Sequence, residues 1–224
     1  WDAPEPGWLA SLAGAGIRTW LTVTSVDEAR RAVAAGADAL VVQGVEAGGH
    51  NRSGEPLARL IPRVAAVAGD LHVVAAGGIA NAATARSAFA LGADAVCLGT
   101  RFVACAESPA HPEWKRRIVA AGTGSTVVTR AFGPEWPDAP MRVLRNRAVE
   151  RASRGEPPPS PAPIGRTTLL GRSVEMPPCS SLLPTEATTG DFDEMCLAAG
   201  TSAEAIDRVE TAAEIVREIA SAVD

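Results

Sequence analysis

The stretch VVQGVEAGGHNRSGEP, residues 41–56, ends an apolar run in a glycine pair and sets a histidine directly behind it. The chain has three histidines, so the place of this one, His50, carries weight. A neutral imidazole with a pKa of about 6.5 takes up a proton near pH 7. Gly48 and Gly49 let the backbone pass close to a flat ligand, because no Cβ intervenes. Spacing alone leaves two readings equally open: a catalytic base, or a surface-loop histidine with no role. Glu46 reads as a loop hydrogen-bond acceptor ahead of a second acid or base. Gln43 ends a strand with an amide that both donates and accepts, which suits the edge of a ring or a ribityl chain. A satisfied core amide is the competing reading. His72 begins a strand and His111 precedes Pro112, so both read as structural or exposed. No metal-ligand spacing is present.

Two further segments, AAGGIA (75–80) and CLGTRF (97–102), end apolar runs in glycine. Backbone amides approach a phosphate closely only where side chains are missing, and a following helix N-terminus adds partial positive charge. Gly77 and Gly78 precede a helix beginning near Asn81. Gly99 and Thr100 end the next strand, and Thr100 adds a hydroxyl. As a pair at matching strand ends they predict a phosphate cradle, with tight turns as the plainer alternative.

The elements that must hold these residues alternate in texture. Strands are expected over 19–25, 38–44, 71–77 and 94–100, and helices over 26–35, 57–68, 81–91 and about 112–121. Alternating strands and helices argue for a parallel sheet, and runs without polar alternation fit strands covered on both faces. Ser25 with Glu28 predicts a capping box, Asn81 a cap, and Gly36 and Gly92 helix ends. AAGADALVVQG (34–44) and ALGADAVCLGT (90–100) repeat one pattern 56 residues apart. That is two βα units of about 28 residues, and it favours a barrel of repeated units over an open sheet. A closed (β/α)8 barrel needs eight strands, whereas four are counted. The expected fold class is therefore α/β, the C-terminal half of such a barrel.

Residues 151–190 hold eight of the 17 prolines and predict little regular structure. A final helix is expected over 202–222, with Thr201 and Glu204 as its capping box and Ile206, Val209, Ala213, Val216 and Ile219 as its apolar stripe.

Composition narrows the class. With 46% hydrophobic residues in 224 and a net charge of −5, the chain is long enough for a sizeable core and has no basic stripe for nucleic acid. No apolar run reaches the roughly 18 residues of a membrane span, and no signal peptide is visible. Cys97, Cys105, Cys179 and Cys196 are scattered without a CxxC, which predicts reduced thiols and a cytoplasmic setting. The chain begins with Trp1, which predicts a processed or partial sequence.

GADALVVQGVEAGGH, VVAAGGIA and GADAVCLGTRF, in this order and spacing, resemble the nitronate monooxygenase family, formerly 2-nitropropane dioxygenases. The resemblance continues through RVLRNRAVE (142–150) and GDFDEMCLAAG (190–200). It implies an FMN-dependent TIM barrel that oxidises alkyl nitronates or nitroalkanes with O2 to a carbonyl compound and nitrite. His50 would be the base. Gln43, Gly48 and Gly49 would lie against FMN, and Gly77, Gly78, Cys97, Leu98, Gly99 and Thr100 would hold its phosphate. The implied division is a half barrel with the FMN site over 1–124, a proline-rich lid or excursion over 125–200, and a helix packing back over 201–224.

Two features depart from the family pattern. The glycine expected soon after the motif histidine is delayed to Gly54. The first half-barrel, with an asparagine-bearing loop at the flavin, is absent. Open sheet edges then predict self-association. The alternatives are a related FMN-dependent enoyl or NAD(P)H:quinone reductase, an inactive truncated fragment, and a phosphosugar-binding barrel without flavin.

Overall fold

The short β-branched runs form strands β1 (Trp20–Val23) and β2 (Ala39–Gln43), with helix α1 (Pro6–Gly14) ahead of them and α2 (Val26–Ala35) between them. A two-residue strand β3 (Gly49–His50) follows, then α3 (Leu57–Ala68), β4 (His72–Ala76), α4 (Ala82–Ala90) and β5 (Ala95–Cys97). The computed structural model describes residues 6–136 and 138–223; Trp1 lies outside them. The chain divides into two units. The first holds residues 1–47, 52–98 and 217–224, and the second holds 48–51 and 99–216.

In the first unit a parallel sheet runs β1-β2-β4-β5. Its spatial order follows its sequence order, as in consecutive staves of a βα barrel. A doubly wound open sheet reverses direction part-way. The fold is thus α/β with four parallel strands, as the sequence predicts. Leu40 and Val42 of β2 are fully buried, and Leu60, Ile61 and Val64 of α3 join them in one apolar core, against which Ile219 packs.

The 56-residue echo has a structural basis. Asp38 donates its amide to the Thr19 carbonyl (2.9 Å), while its carboxylate accepts from the Thr19 amide (2.7 Å). Asp94 does the same with Val73, at 2.8 and 2.7 Å. In each copy a glycine with positive φ (Gly36, +89°; Gly92, +104°) ends the preceding helix, and the aspartate staples the new strand to its neighbour.

Only half of the capping box at α2 forms. The Ser25 side chain accepts from the Glu28 amide, but Glu28 turns its carboxylate to the amide and hydroxyl of Thr24. At α4 Asn81 and Thr84 make a complete box.

The second unit opens with α5 (Thr100–Val103), α6 (Pro112–Val119) and two antiparallel strands, β6 (Thr126–Thr129) and β7 (Met141–Leu144). β3 pairs with β7, giving the three-stranded order β3-β7-β6. Helix α7 (Arg147–Ser153) follows, capped by Asn146. Phe132, Met141, Val143, Ala148, Val149 and Cys196 form one apolar cluster of this unit.

Two expectations are corrected here. The proline-rich stretch contains a hairpin, β8 (Gly165–Leu169) and β9 (Arg172–Met176), with β10 (Thr189–Gly190) added to its edge. The prolines cluster before it and after it, so the ladder keeps its amide donors. The single helix over 202–222 is instead a 3-10 segment, Thr201–Ala205, and a separate helix α8 (Ala212–Ala220). The working capping box lies ten residues later than expected. Thr211 accepts from the Glu214 amide and donates its amide and hydroxyl to the Glu214 carboxylate. Glu204 instead accepts from the Gly124 amide. Val209 and Val216 are exposed, so the expected apolar stripe does not run unbroken.

Candidate functional site

The sequence-predicted residues fall into two groups, each internal to one unit. In the first, Gln43 lies opposite Ala76, and Ala76 opposite Cys97, in one row across the sheet. The carboxyl ends of β2, β4 and β5 are therefore level. Gly77, Gly78, Leu98 and the half-buried Gln43 come to one edge of the sheet, where ligands of βα proteins bind. Gly77 (φ +116°) and Gly78 (φ +70°) adopt backbone that side chains disfavour. A Cβ on Gly77 would also stand 2.9 Å from the Ala47 amide nitrogen. Cys97 is exposed, while Leu98 packs its side chain against the first unit's core and has its backbone to offer.

Glu46 accepts the Leu57 amide at 3.0 Å. It caps α3 across a loop, because Pro56 at the N-cap position makes no side-chain cap. This is the hydrogen-bond role expected of it. A Cβ on Gly44 would come within 2.7 Å of Leu57 Cα, so the turn that brings Glu46 to α3 requires glycine there. At α4 the capping box takes up the amides of Ala80, Asn81 and Thr84. The side-chain-free part of this strand end is the glycine pair itself.

In the second unit Gly48, Gly49, His50 and Thr100 come together with the segment around Gly200. A Cβ on Gly48 would lie 2.6 Å from the Ala199 carbonyl carbon, so close backbone approach excludes a side chain. The Gly200 amide donates to Thr100 Oγ1 at 2.8 Å. The buried hydroxyl has one lone pair engaged, and its proton can serve a further acceptor. Around Gly49 (φ +73°) and Gly99 an added Cβ would meet nothing within 4 Å, so both glycines border open space.

His50 is half-buried, with β3 paired to Met141 of β7. The Trp136 indole lies against it, ring centroids 4.8 Å apart and tilted by 44°. Burial pushes the His50 pKa below its ordinary value, and the Glu135 carboxylate pulls it back up in part. The Glu135 carboxyl is held low, first by the Ser181 hydroxyl that donates to it. The imidazole is thus neutral near pH 7, the form that accepts a proton.

Sequence reasoning missed Glu135, Trp136 and Ser181. The one available signal was FGPEWP (132–137), a glycine-proline turn carrying an acid and an aromatic. His72 is exposed near Asp94. His111 caps α6, its Nδ1 accepting from the Glu113 amide at 3.0 Å. Among the described residues no group of three His, Cys, Asp or Glu side chains is placed to hold a metal, and no helix is long and apolar enough to cross a membrane. The four cysteines are free thiols.

A parallel sheet wound in sequence order, with glycines at its carboxyl ends, places this protein among the βα-barrel class. The family model for nitronate monooxygenase matches residues 1–222. The chain belongs to the nitronate monooxygenase family, a family of flavin-dependent oxidoreductases. It is 38% identical over 167 residues to a nitronate monooxygenase of Paraburkholderia phytofirmans, covering 71% of this chain and 44% of that protein. Among solved structures it resembles nitroalkane oxidase from Streptomyces ansochromogenes, with a TM-score of 0.75, 31% identity and coverage of 99% of this chain and 63% of that one. FabK from Thermotoga maritima gives a TM-score of 0.76, 30% identity and coverage of 99% and 65%. The chain thus spans about half the length of the curated relatives it matches.

Proposed function

We propose that this chain serves FMN-dependent oxidation of alkyl nitronates and nitroalkanes by O2, yielding a carbonyl compound and nitrite. The observation that carries the reading is His50. It is half-buried, neutral near pH 7, in ring contact with an indole, and set behind the two glycines of the EAGGH motif in a chain that matches the family over nearly its whole length. The residues present suit the cofactor. Gln43 offers a donor and an acceptor to a ring edge or ribityl chain. Gly48 and Gly49 remove side chains where a flat ring must approach. Gly77, Gly78, Cys97, Leu98, Gly99 and Thr100 are assigned to the phosphate, the glycines through backbone amides and Thr100 through its hydroxyl.

When bound, the flavin supplies the electron acceptor and the route to O2. The chain's own part is proton transfer and positioning. The His50 imidazole takes the α-proton of a neutral nitroalkane and leaves the nitronate, the species to be oxidised. A nitronate supplied from solution needs no such base. The exposed Trp20 on the edge strand β1 supports association of the chain with itself along that edge as part of the proposal. The free thiols support a cytoplasmic setting.

The test is His50→Asn. Turnover of a neutral nitroalkane should fall by about 10²–10⁴-fold, while turnover of the preformed nitronate and flavin retention persist. Oxygen uptake and nitrite release read the two substrates. Undiminished turnover of the neutral nitroalkane would remove His50 from the role of base. NAD(P)H consumption without nitrite would move the chain to the reductase reading.

A further inference from the structure

Two neighbouring side chains on the turn after Phe132 act on His50 from outside the predicted motifs. The turn is closed by the Trp136 amide donating to the Gly133 carbonyl at 2.9 Å. It is anchored by the Gly133 amide donating to the Cys179 carbonyl, also at 2.9 Å. Gly133 has φ +83°, the left-handed region that favours glycine. A Cβ built there would stand 4.0 Å from both His50 Nε2 and Glu135 Oε1 and 3.7 Å from Ser181 Cβ. Imidazole and carboxylate thus flank one small gap, and Ser181 fixes the carboxylate by its hydroxyl. The Trp136 ring lies against the imidazole, tilted by 44° with centroids 4.8 Å apart.

Other described groups on the elements beside His50 are these. On β7, Met141 lies opposite His50 and is uncharged. Arg142 lies opposite Gly49, so its side chain leaves the opposite face of the ribbon, and its guanidinium donates to Thr126 Oγ1. Cys196 is buried, its thiol pushed up to about 12 by burial, and Cys179 is likewise raised by burial. Both are neutral at working pH. Glu135 is a charge that acts on His50.

Resting on the reading of His50 as the base, we propose that Glu135 and Trp136 are a pair of positioning residues that set the proton affinity of His50 in opposite directions. The carboxylate favours the protonated imidazolium by charge, and the indole disfavours it by excluding water. Together they keep the base neutral at rest and still able to hold the proton it takes from a substrate. Loss of either member should therefore move His50 in a direction that a merely structural role would not predict.

The experiment is an NMR titration of the imidazole signals of the full chain. With three histidines the spectrum is simple, and loss of a signal in His50→Asn assigns His50. In Glu135→Gln the His50 midpoint should move to lower pH. Ser181→Ala should move it the same way by less, and Trp136→Ala should move it to higher pH. His72 and His111 should stay in place throughout. A His50 midpoint that is unmoved in both Glu135→Gln and Trp136→Ala, or that moves the same way in both, overturns the proposal. The kinetic counterpart is the pH profile of kcat/KM for a neutral nitroalkane, whose rising limb should follow the NMR midpoint in each variant. A midpoint that moves while this limb stays fixed supports the pair and counts against His50 as the base, so the two readings fail separately.

Discussion

The two units hold together by different means. The first is an apolar sandwich of parallel strands and helices, with Leu40, Val42, Leu60, Ile61 and Val64 at or near zero exposure. The second also buries large apolar side chains, Ile118, Met176, Met195 and Leu197 among them, and adds buried ion pairs. Glu194, buried, takes two bonds from Arg151 (2.8 and 2.6 Å) and one from Arg147 (2.8 Å). Glu113 holds both Arg116 and Arg117, and Arg117 reaches on to Asp193. Arg101, buried, pairs with Glu210. The βα repeat solves its packing by burying both faces of a sheet. Around its short antiparallel ribbons the second unit adds carboxylate–guanidinium pairs that tie distant segments together. The family-like segments RVLRNRAVE and GDFDEMCLAAG supply three of those partners, Arg147 from the first and Asp193 and Glu194 from the second, and there they act as structural ties.

If this contrast is right, the two units should break differently. Glu194→Gln should cost about 3–5 kcal/mol by leaving the buried Arg151 charge uncompensated. Hydrogen exchange should place the lost protection in 141–156 and 191–200. In the first unit Leu40→Ala should cost about 2–5 kcal/mol through the cavity it leaves, with protection lost over β1, β2 and β4. Equal loss across the whole chain from either change would mean one cooperative structure and no real contrast.

Acid should separate the units next. The Glu113 carboxyl is held down to about 2 from an ordinary 4.5, first by its bond from Arg116. Glu194 is held low first by Arg151, and Glu135 first by Ser181. A carboxyl with a depressed folded pKa adds stability that is complete above its unfolded value and is lost as pH falls toward the folded one. His50, depressed by burial, works in the same direction, costing stability as pH falls below about 6.5. Exchange measured at pH 7 and again near pH 4 should show residues 99–216 loosening before residues 39–47 and 57–97. Asp38, the carboxylate held the same way in the first unit, lies at the surface between Thr19 and Arg18 and should contribute little. The smallest expected effect is the loss of a cap. Asn81→Ala should cost about 1 kcal/mol and raise exchange over α4, leaving the second unit untouched.

The same contrast explains what the sequence made legible. A parallel βα unit writes itself locally: apolar runs for strands, glycine at helix ends, and an aspartate just before β2 and β5. The four strands and helices α2, α3 and α4 of the first unit could therefore be read within about three residues, whereas α1 was not anticipated. The structure adds why Asp38 and Asp94 repeat, since each bonds both backbone groups of one residue on the neighbouring strand. In the second unit the determining contacts are distant in sequence. Thr201 and Glu204 have capping spacing, as do Thr211 and Glu214, and only the surrounding fold selects the later pair. The hairpin over 165–176 was hidden by prolines that flank it without entering it. His50 could be found from its glycines. Glu135, Trp136 and Ser181, 85 or more positions further on, carry no local signal that points to it.

The central claim is that this chain holds FMN at its glycine-rich strand ends. The most direct test is a visible absorption spectrum of the purified chain after incubation with FMN and desalting. The account predicts flavin bands retained near one per chain, and their loss in Gly77→Val, which blocks the strand end nearest Ala47. A colourless protein at saturating FMN, from a chain shown by circular dichroism to be folded, would contradict it.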